Sequence, residues 1–214
     1  MTDFVVEGVG RRFVPYAEGL QLQARWHERV VVGEAPDTVI LLEHEAVYTA
    51  GKRTEASERP VDGTPVVDVD RGGKITWHGP GQLVGYPIVR LPDPIDVVAY
   101  VRSLEAMLLE VVRGIGVDAY RVEGRSGIWT TSGGRDCKLG AIGVRVSGGV
   151  TSHGFALNCS NDLAPYDKIV ACGIRDAGVT TISEVLGRRV EPADLVDAVK
   201  QRFVAPAPAL AGAR

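Results

Sequence analysis

Lys138-Leu139-Gly140-Ala141-Ile142-Gly143-Val144-Arg145-Val146, Ser147-Gly148-Gly149 and Val150-Thr151-Ser152-His153-Gly154-Phe155-Ala156-Leu157 form one continuous stretch that sets the architecture. Two runs rich in apolar and β-branched residues flank a serine and two glycines, and glycine accepts the positive φ that a tight hairpin turn demands. The two runs are expected as antiparallel neighbours. Gly140, Ala141, Gly143, Gly154 and Ala156 leave little side chain along them, which weakens a strand but lets a ligand approach the backbone. Strands stripped in this way predict a binding wall.

Upstream, Arg71 to Pro87 carries a second concentration of glycine: Arg71-Gly72-Gly73-Lys74-Ile75-Thr76-Trp77-His78, then Gly79-Pro80-Gly81 and Gln82-Leu83-Val84-Gly85-Tyr86-Pro87. So much glycine and proline predicts a shaped loop rather than an ordinary strand interior. The stretch lacks the Gly-Lys-Ser/Thr signature of a phosphate-binding P-loop, so it reads as a loop lying over a ligand beside a strand. A glycine-rich turn joining two strands is the plain alternative.

The remaining elements are scaffolding. Phe4 to Val6 reads as an edge strand, Pro15 to Val32 as an amphipathic helix with His27 on its surface, and Thr38 to Leu42 as a buried strand. Residues Thr54 to Gly63 read as a surface loop. Asp93 is placed to cap a helix whose apolar side is Val97, Val101, Leu104, Leu108 and Val112, ending at Gly114 and Gly116. Tyr120 to Val122 and Gly127 to Thr131 are short strand candidates, and Ser132-Gly133-Gly134 is a turn into the hairpin. Thr181-Ile182-Ser183-Glu184 carries a capping-box pattern, Pro192 to Phe203 is a last helix, and residues 205–214 read as a frayed tail after a single domain spanning 1–204.

With 214 residues, 45% of them hydrophobic, the chain suffices for one substantial core. A net charge of −3 excludes nucleic-acid binding by bulk electrostatics. Three cysteines cannot all pair within the chain, and no signal-like or membrane-spanning apolar run is present, so a cytoplasmic protein is expected. Glu43-His44-Glu45 invites a metal reading, but metal sites need three or four converging ligands and no metal is expected; His44 is instead a structural or substrate-lining residue.

The reactive groups are a lysine and a thiol. Cys172 precedes Gly173, whose small size would leave a backbone N–H open as an oxyanion donor; an inert buried cysteine is the plain alternative. Cys137 and Cys159 compete with it, and spacing alone does not choose. A thiol is a few per cent ionised near neutrality, and a neighbouring cationic group such as Lys138 raises that fraction. A surface lysine is the alternative there.

Arg71-Gly72-Gly73 through Tyr86-Pro87, Lys138 through Arg145, His153-Gly154-Phe155-Ala156-Leu157-Asn158 and Cys172-Gly173-Ile174, with Leu42-Glu43-His44, resemble in order and spacing the octanoyltransferases of lipoate biosynthesis. The resemblance covers all but the last dozen residues. It implies an α+β domain with a mixed, largely antiparallel sheet flanked by helices, shared with biotin and lipoate protein ligases. The implied reaction moves octanoyl from octanoyl-acyl carrier protein to a lysine of lipoyl domains, in the E2 subunits of 2-oxoacid dehydrogenases or the glycine-cleavage H protein. It also implies a monomer that needs neither ATP nor metal. By matching positions, Cys172 would carry the acyl group as a thioester and Lys138 would activate it. Arg71, Gly72, Gly73, Lys74, Ile75, Thr76, Trp77 and His78, with Ala141, Ile142, Gly143, Gly154, Phe155 and Ala156, would bind substrate; His44, Tyr86 and His153 are further candidates. Ala171 and Tyr166 depart from the proline and phenylalanine common in the family, and Cys137 beside Lys138 could compete for the acyl group. Acidic carriers imply a basic rim, for which Lys52, Arg53, Arg59, Lys74 and Arg145 are candidates. Two other readings are an ATP-dependent lipoate protein ligase, with no need of Cys172, and a non-catalytic lipoyl-domain binding protein.

Overall fold

The computed structural model describes residues 2–174 and 176–206, so most of the tail read from residue 205 lies outside the described residues. In chain order the elements are β1 (Asp3–Glu7), α1 (Tyr16–Val31), β2 (Thr38–Leu42), β3 (Val47–Ala50), β4 (Val66–Asp68), β5 (Thr76–His78), β6 (Gln82–Ile88), α2 (Val97–Arg113), β7 (Ala119–Tyr120), β8 (Ile128–Ser132), β9 (Arg135–Ser147), β10 (Val150–Asn158), β11 (Gly178–Val179), α3 (Ile182–Leu186) and α4 (Pro192–Arg202). The expected hairpin is β9–β10, with Gly148 and Gly149 both at positive φ in its two-residue turn and Ala141 paired with Ala156. It is the centre of an eight-stranded sheet in the order β1-β2-β6-β10-β9-β8-β7, with β11 also on β9. Only β1–β2 and β9–β11 are parallel, so the sheet is mixed and largely antiparallel, as expected.

Alternation along the strands builds two cores. Val39, Leu41, Leu83, Phe155 and Leu157 pack against Leu104, Leu108 and Val112 of α2 and Leu195 and Val199 of α4. From the other face, Ile40, Leu42, Val84, Tyr86 and Ile88 meet Val30 of α1. A smaller sheet, β4-β3-β5, lies beside the main one and carries the stretch from Thr76 to His78.

Three expectations need correction. Asp96, not Asp93, caps α2, its carboxylate accepting from the Ala99 N–H at 2.8 Å; Asp93-Pro94 belongs to the preceding loop. The Asp96→Ala change should cost about 1 kcal/mol, read as a fall of a few degrees in Tm in thermal unfolding. The glycine-rich stretch stops being loop at Gln82, where it becomes the buried strand β6. Gly85 is needed there because a Cβ would lie 2.2 Å from the Phe155 ring. At α3, Thr181 accepts from the Glu184 N–H, but the Glu184 carboxylate takes the Thr180 hydroxyl, leaving the capping box half made.

Candidate active site

Strand β9 carries an irregularity that places its lysine. Ile128 pairs with Gly140 and Trp129 with Lys138, so Leu139 is an extra residue on the β9 side. Such a bulge re-aims the side chains beyond it. Leu139 and Ile142 join the α2 core, while Lys138 comes round to the wall that holds Ala141 and Gly143. Lys138 is buried, and its Nζ lies 4.8 Å from the centre of the Trp129 ring, a cation–π contact. Among the described residues no carboxylate forms an ion pair with it.

Cys172 arrives from a separate loop. It adopts φ 54°, a left-handed conformation, and its N–H donates to the Ile75 carbonyl at 2.9 Å. Two residues earlier the Val170 N–H donates to the Glu58 carbonyl at 3.1 Å. Glu58 is buried and its carboxylate pairs with Lys74, directly below Gly173, where an added Cβ would meet Lys74 Cδ at 2.3 Å. Three segments distant in sequence, around residues 55–58, 71–75 and 170–174, thus fix the cysteine. The expected open oxyanion donor at Gly173 is not there: its N–H donates to the Val170 carbonyl at 2.9 Å, because the left-handed residue closes a tight turn.

Lys138 and Cys172 line one cavity of about 250 Å³. They also share a void of about 10 Å³ behind it with Thr76, Asn158 and Tyr166, room for about one water among polar partners. Of the residues singled out in the sequence, Arg71, Gly73, Lys74, Thr76, His78, Tyr86, Ala141, Ile142, Gly143, His153, Gly154, Phe155 and Ala156 also line the cavity. Gly72, Ile75, Trp77 and His44 do not. Thr76 and His78 face inward along β5, so Trp77 between them faces away and meets the Tyr166 ring edge-on at 5.9 Å. Gly72 hands its N–H to the Val144 carbonyl at 3.0 Å, pinning the loop to β9.

Arg71 explains the loop's shape. Buried, it donates from Nη1 to the Gly72 and Lys74 carbonyls and from Nη2 to the carbonyl and hydroxyl of Thr49, all within 3.0 Å. Burial pushes its guanidinium below the usual value, opposed by the negative charge that Tyr16, Cys172 or Tyr86 would carry when ionised. Its bond to Thr49 leads into the histidines. Thr49 Oγ1 lies 3.3 Å from His78 Nε2, and His78 Nδ1 donates to Gln82 Oε1 at 2.8 Å. His44 Nδ1 donates to the Val14 carbonyl at 2.8 Å, leaving Nε2 to accept from the Tyr86 hydroxyl at 2.6 Å. These partners assign the tautomers. Burial keeps both rings neutral, lowering His44 to about 4 and His78, with help from the His44 charge, to about 3.

Of the acidic neighbours of His44, Glu43 serves the backbone and Glu45 is exposed. Glu43 accepts from the Gly10 and Gly81 N–H groups at 2.9 and 2.8 Å. The basic rim is thinner than expected: Lys74 pairs with Glu55 and Glu58, Arg59 with Asp68 and Arg145 with Asp70. Lys52 and Arg53 are exposed, and Arg53 reaches the cavity. The other thiols are buried; Cys137 Sγ faces the Ser132 carbonyl, and burial pushes the Cys159 thiol far up.

Sequence reading missed Tyr16, which stacks on His78 at 6.3 Å, and the wall made by Gly124, Arg125 and Ser126. That wall is tied down by buried Glu105 of α2, which accepts from the Gly127 N–H at 2.9 Å and pairs with Arg102 and Arg121. A carboxylate on the apolar side of α2, four residues after Val101 and three before Leu108, was the available signal. Arg125 also bridges to Asp176 at 2.6 Å, joining this wall to the loop after Cys172.

The sequence and the fold both have known relatives. The sequence profile of the lipoyl protein ligase A/B catalytic domain matches residues 15–204, and the chain belongs to that family. An octanoyltransferase of Clavibacter sepedonicus is 61% identical over 209 residues, covering 95% of this chain and 90% of that protein. Among solved structures, a bipartite lipoate protein ligase from Thermoplasma acidophilum superposes with a TM-score of 0.71 at 14% identity, over 95% of this chain and 82% of its own. A biotin protein ligase from Aquifex aeolicus gives 0.53 at 12% identity, over 94% and 65%. The α+β fold of the lipoate and biotin ligases and an acyltransferase enzyme, both implied by the motifs, are thereby supported.

Proposed function

We propose that the protein transfers octanoyl from the thioester of an acyl carrier protein to a lysine of lipoyl domains, through a thioester on Cys172. The observation that carries this reading is the meeting of Cys172 and Lys138 on the wall of one slot lined by small residues. The Cys172 thiolate attacks the donor carbonyl, the carrier thiolate leaves with the proton that the Lys138 ammonium gives up, and the acyl group stays on Sγ with Lys138 now neutral. The lysine amine of the lipoyl domain then attacks that thioester, its proton passing to Lys138 directly or through a water in the small void, and Cys172 leaves as thiolate. Thioester exchange is nearly balanced, so the first step needs positioning, and amide formation draws the second forward. With the Gly173 N–H engaged, charge growing on the carbonyl oxygen in the first step falls to the Lys138 ammonium to stabilise, before that group gives up its proton. Ala141, Gly143, Gly154 and Ala156 leave room for the chain, each buried methylene contributing about 0.8 kcal/mol. The donor is already activated, so the reading needs no ATP and no metal. The first lipoyl-domain contacts fall to Lys52 and Arg53 at the rim.

Intact-mass measurement after mixing the protein with octanoyl-acyl carrier protein, without ATP, tests the reading. One octanoyl group should appear on Cys172, vanish when a lipoyl domain is added, and be missing in Cys172→Ser. Product formed only with ATP would instead establish the ligase reading. Label on Cys137 or Cys159 would overturn the choice of nucleophile.

A further inference from the structure

One group on the cavity wall is required by no acyl chemistry. His153 is buried, lines the cavity and sits at φ 56° in β10. Its paired neighbours run on in regular register, His153 opposite Val144 and Gly154 opposite Gly143. The left-handed conformation therefore turns one side chain out of the strand's alternation without ending the strand. Two partners hold it there. The His153 N–H donates to Gln23 Oε1 of α1 at 2.8 Å, and Nε2 lies 2.8 Å from Asp70 Oδ1. Asp70 is itself paired with Arg145 and immediately precedes Arg71, at the point where the glycine-rich loop lands on Val144. Loop, strand and helix converge on this imidazole.

The position of His153 along β10 corresponds to a chain length. Ala156 borders Cys172 in the small void, and His153 lies three residues before it along the same strand. Three residues of extended strand span ~10 Å. An extended octanoyl group measures about 9 Å from carbonyl to methyl carbon, given C–C bonds of about 1.5 Å. Two further methylenes would have to displace the imidazole from Asp70, which costs a part-buried hydrogen bond.

We propose that His153, held by Asp70 and Gln23, is the end-stop of the acyl slot and sets its preference for eight carbons. The inference rests on the acyl-transfer reading above. Octanoyl, decanoyl and dodecanoyl carrier proteins, offered in competition and read by intact mass of the acyl-enzyme, test it on the full chain. His153→Gly removes the ring at a φ that glycine adopts freely. It should raise the decanoyl-to-octanoyl ratio about fifteenfold, since each of the two methylenes newly buried adds about fourfold. His153→Asn, whose side chain also tolerates this conformation, should give a smaller shift in the same direction, and it decides the matter if the glycine variant does not fold. An unchanged ratio in a folded variant that still forms octanoyl-enzyme overturns the end-stop. A wild-type protein that forms no acyl-enzyme with any donor overturns the transfer reading instead.

Discussion

Lys138→Met should lower kcat/KM for octanoyl transfer by about 10²–10⁴-fold, the span general acid–base groups contribute, while leaving Tm unchanged or raised. The two halves have one origin. Lys138 is buried against Trp129 and Ala141 lines the slot beside it, and no ion pair compensates its charge among the described residues. Taking a cation out of water without a paired anion opposes folding, so methionine, which keeps the stem and packs on the indole, removes a penalty. The same isolation makes the ammonium useful, because its field reaches Cys172 and the reacting carbonyl unscreened. Measuring transfer and thermal unfolding on the same preparation separates the outcomes. Lost activity with a Tm several degrees lower would make Lys138 a structural residue.

Acid should unfold the protein from an unusually high pH. His44 is held at about 4 and His78 at about 3 by burial, against an ordinary value of 6.5. Their folded values are depressed, so the unfolded chain takes up protons first as pH falls. Stability is full above pH 6.5 and drains as pH falls through 6.5 toward 4 and then 3. Each unit of separation corresponds to about 1.4 kcal/mol, so the pair represents several kcal/mol out of a typical total of about 5–15. His153, pushed to about 4 by burial, Arg71 and Arg145, adds less because the Asp70 carboxylate works against that shift. Between pH 6.5 and 5 ordinary carboxylates remain ionised, so the slope there belongs to the histidines. Urea unfolding at pH 7, 6 and 5 should show ΔG falling by about 2–4 kcal/mol, with a shallower slope in His78→Gln. A flat profile would mean that water reaches these rings.

The hairpin, α1, β2 and the cavity-lining small residues were legible because each announces itself locally, by period, by turn glycine or by missing side chain. Lys138 was legible as a residue and not as a direction, since its aim depends on the extra Leu139 in the pairing with β8. Pairing between distant segments has no local signature. Ile75 and Trp77 were grouped with the slot because a motif groups neighbours, whereas alternation sends Trp77 to the far side. Tyr16 and the Gly124–Ser126 wall were missed for the converse reason: each joins the site through the tertiary fold, one from α1 and one through Glu105. The oxyanion donor expected at Gly173 failed on a backbone turn that sequence alone does not reveal.

Among the described residues, only His153 and Cys172 place a side chain other than hydrogen at positive φ. Such conformations cost about 1–3 kcal/mol each, and here both residues line the cavity. A campaign of directed evolution that selected for heat resistance alone would therefore be drawn to glycine at these two positions. On the proposed route it would arrive at a tougher protein that has lost its nucleophile and the stop of its slot, and any such selection needs turnover as a second filter.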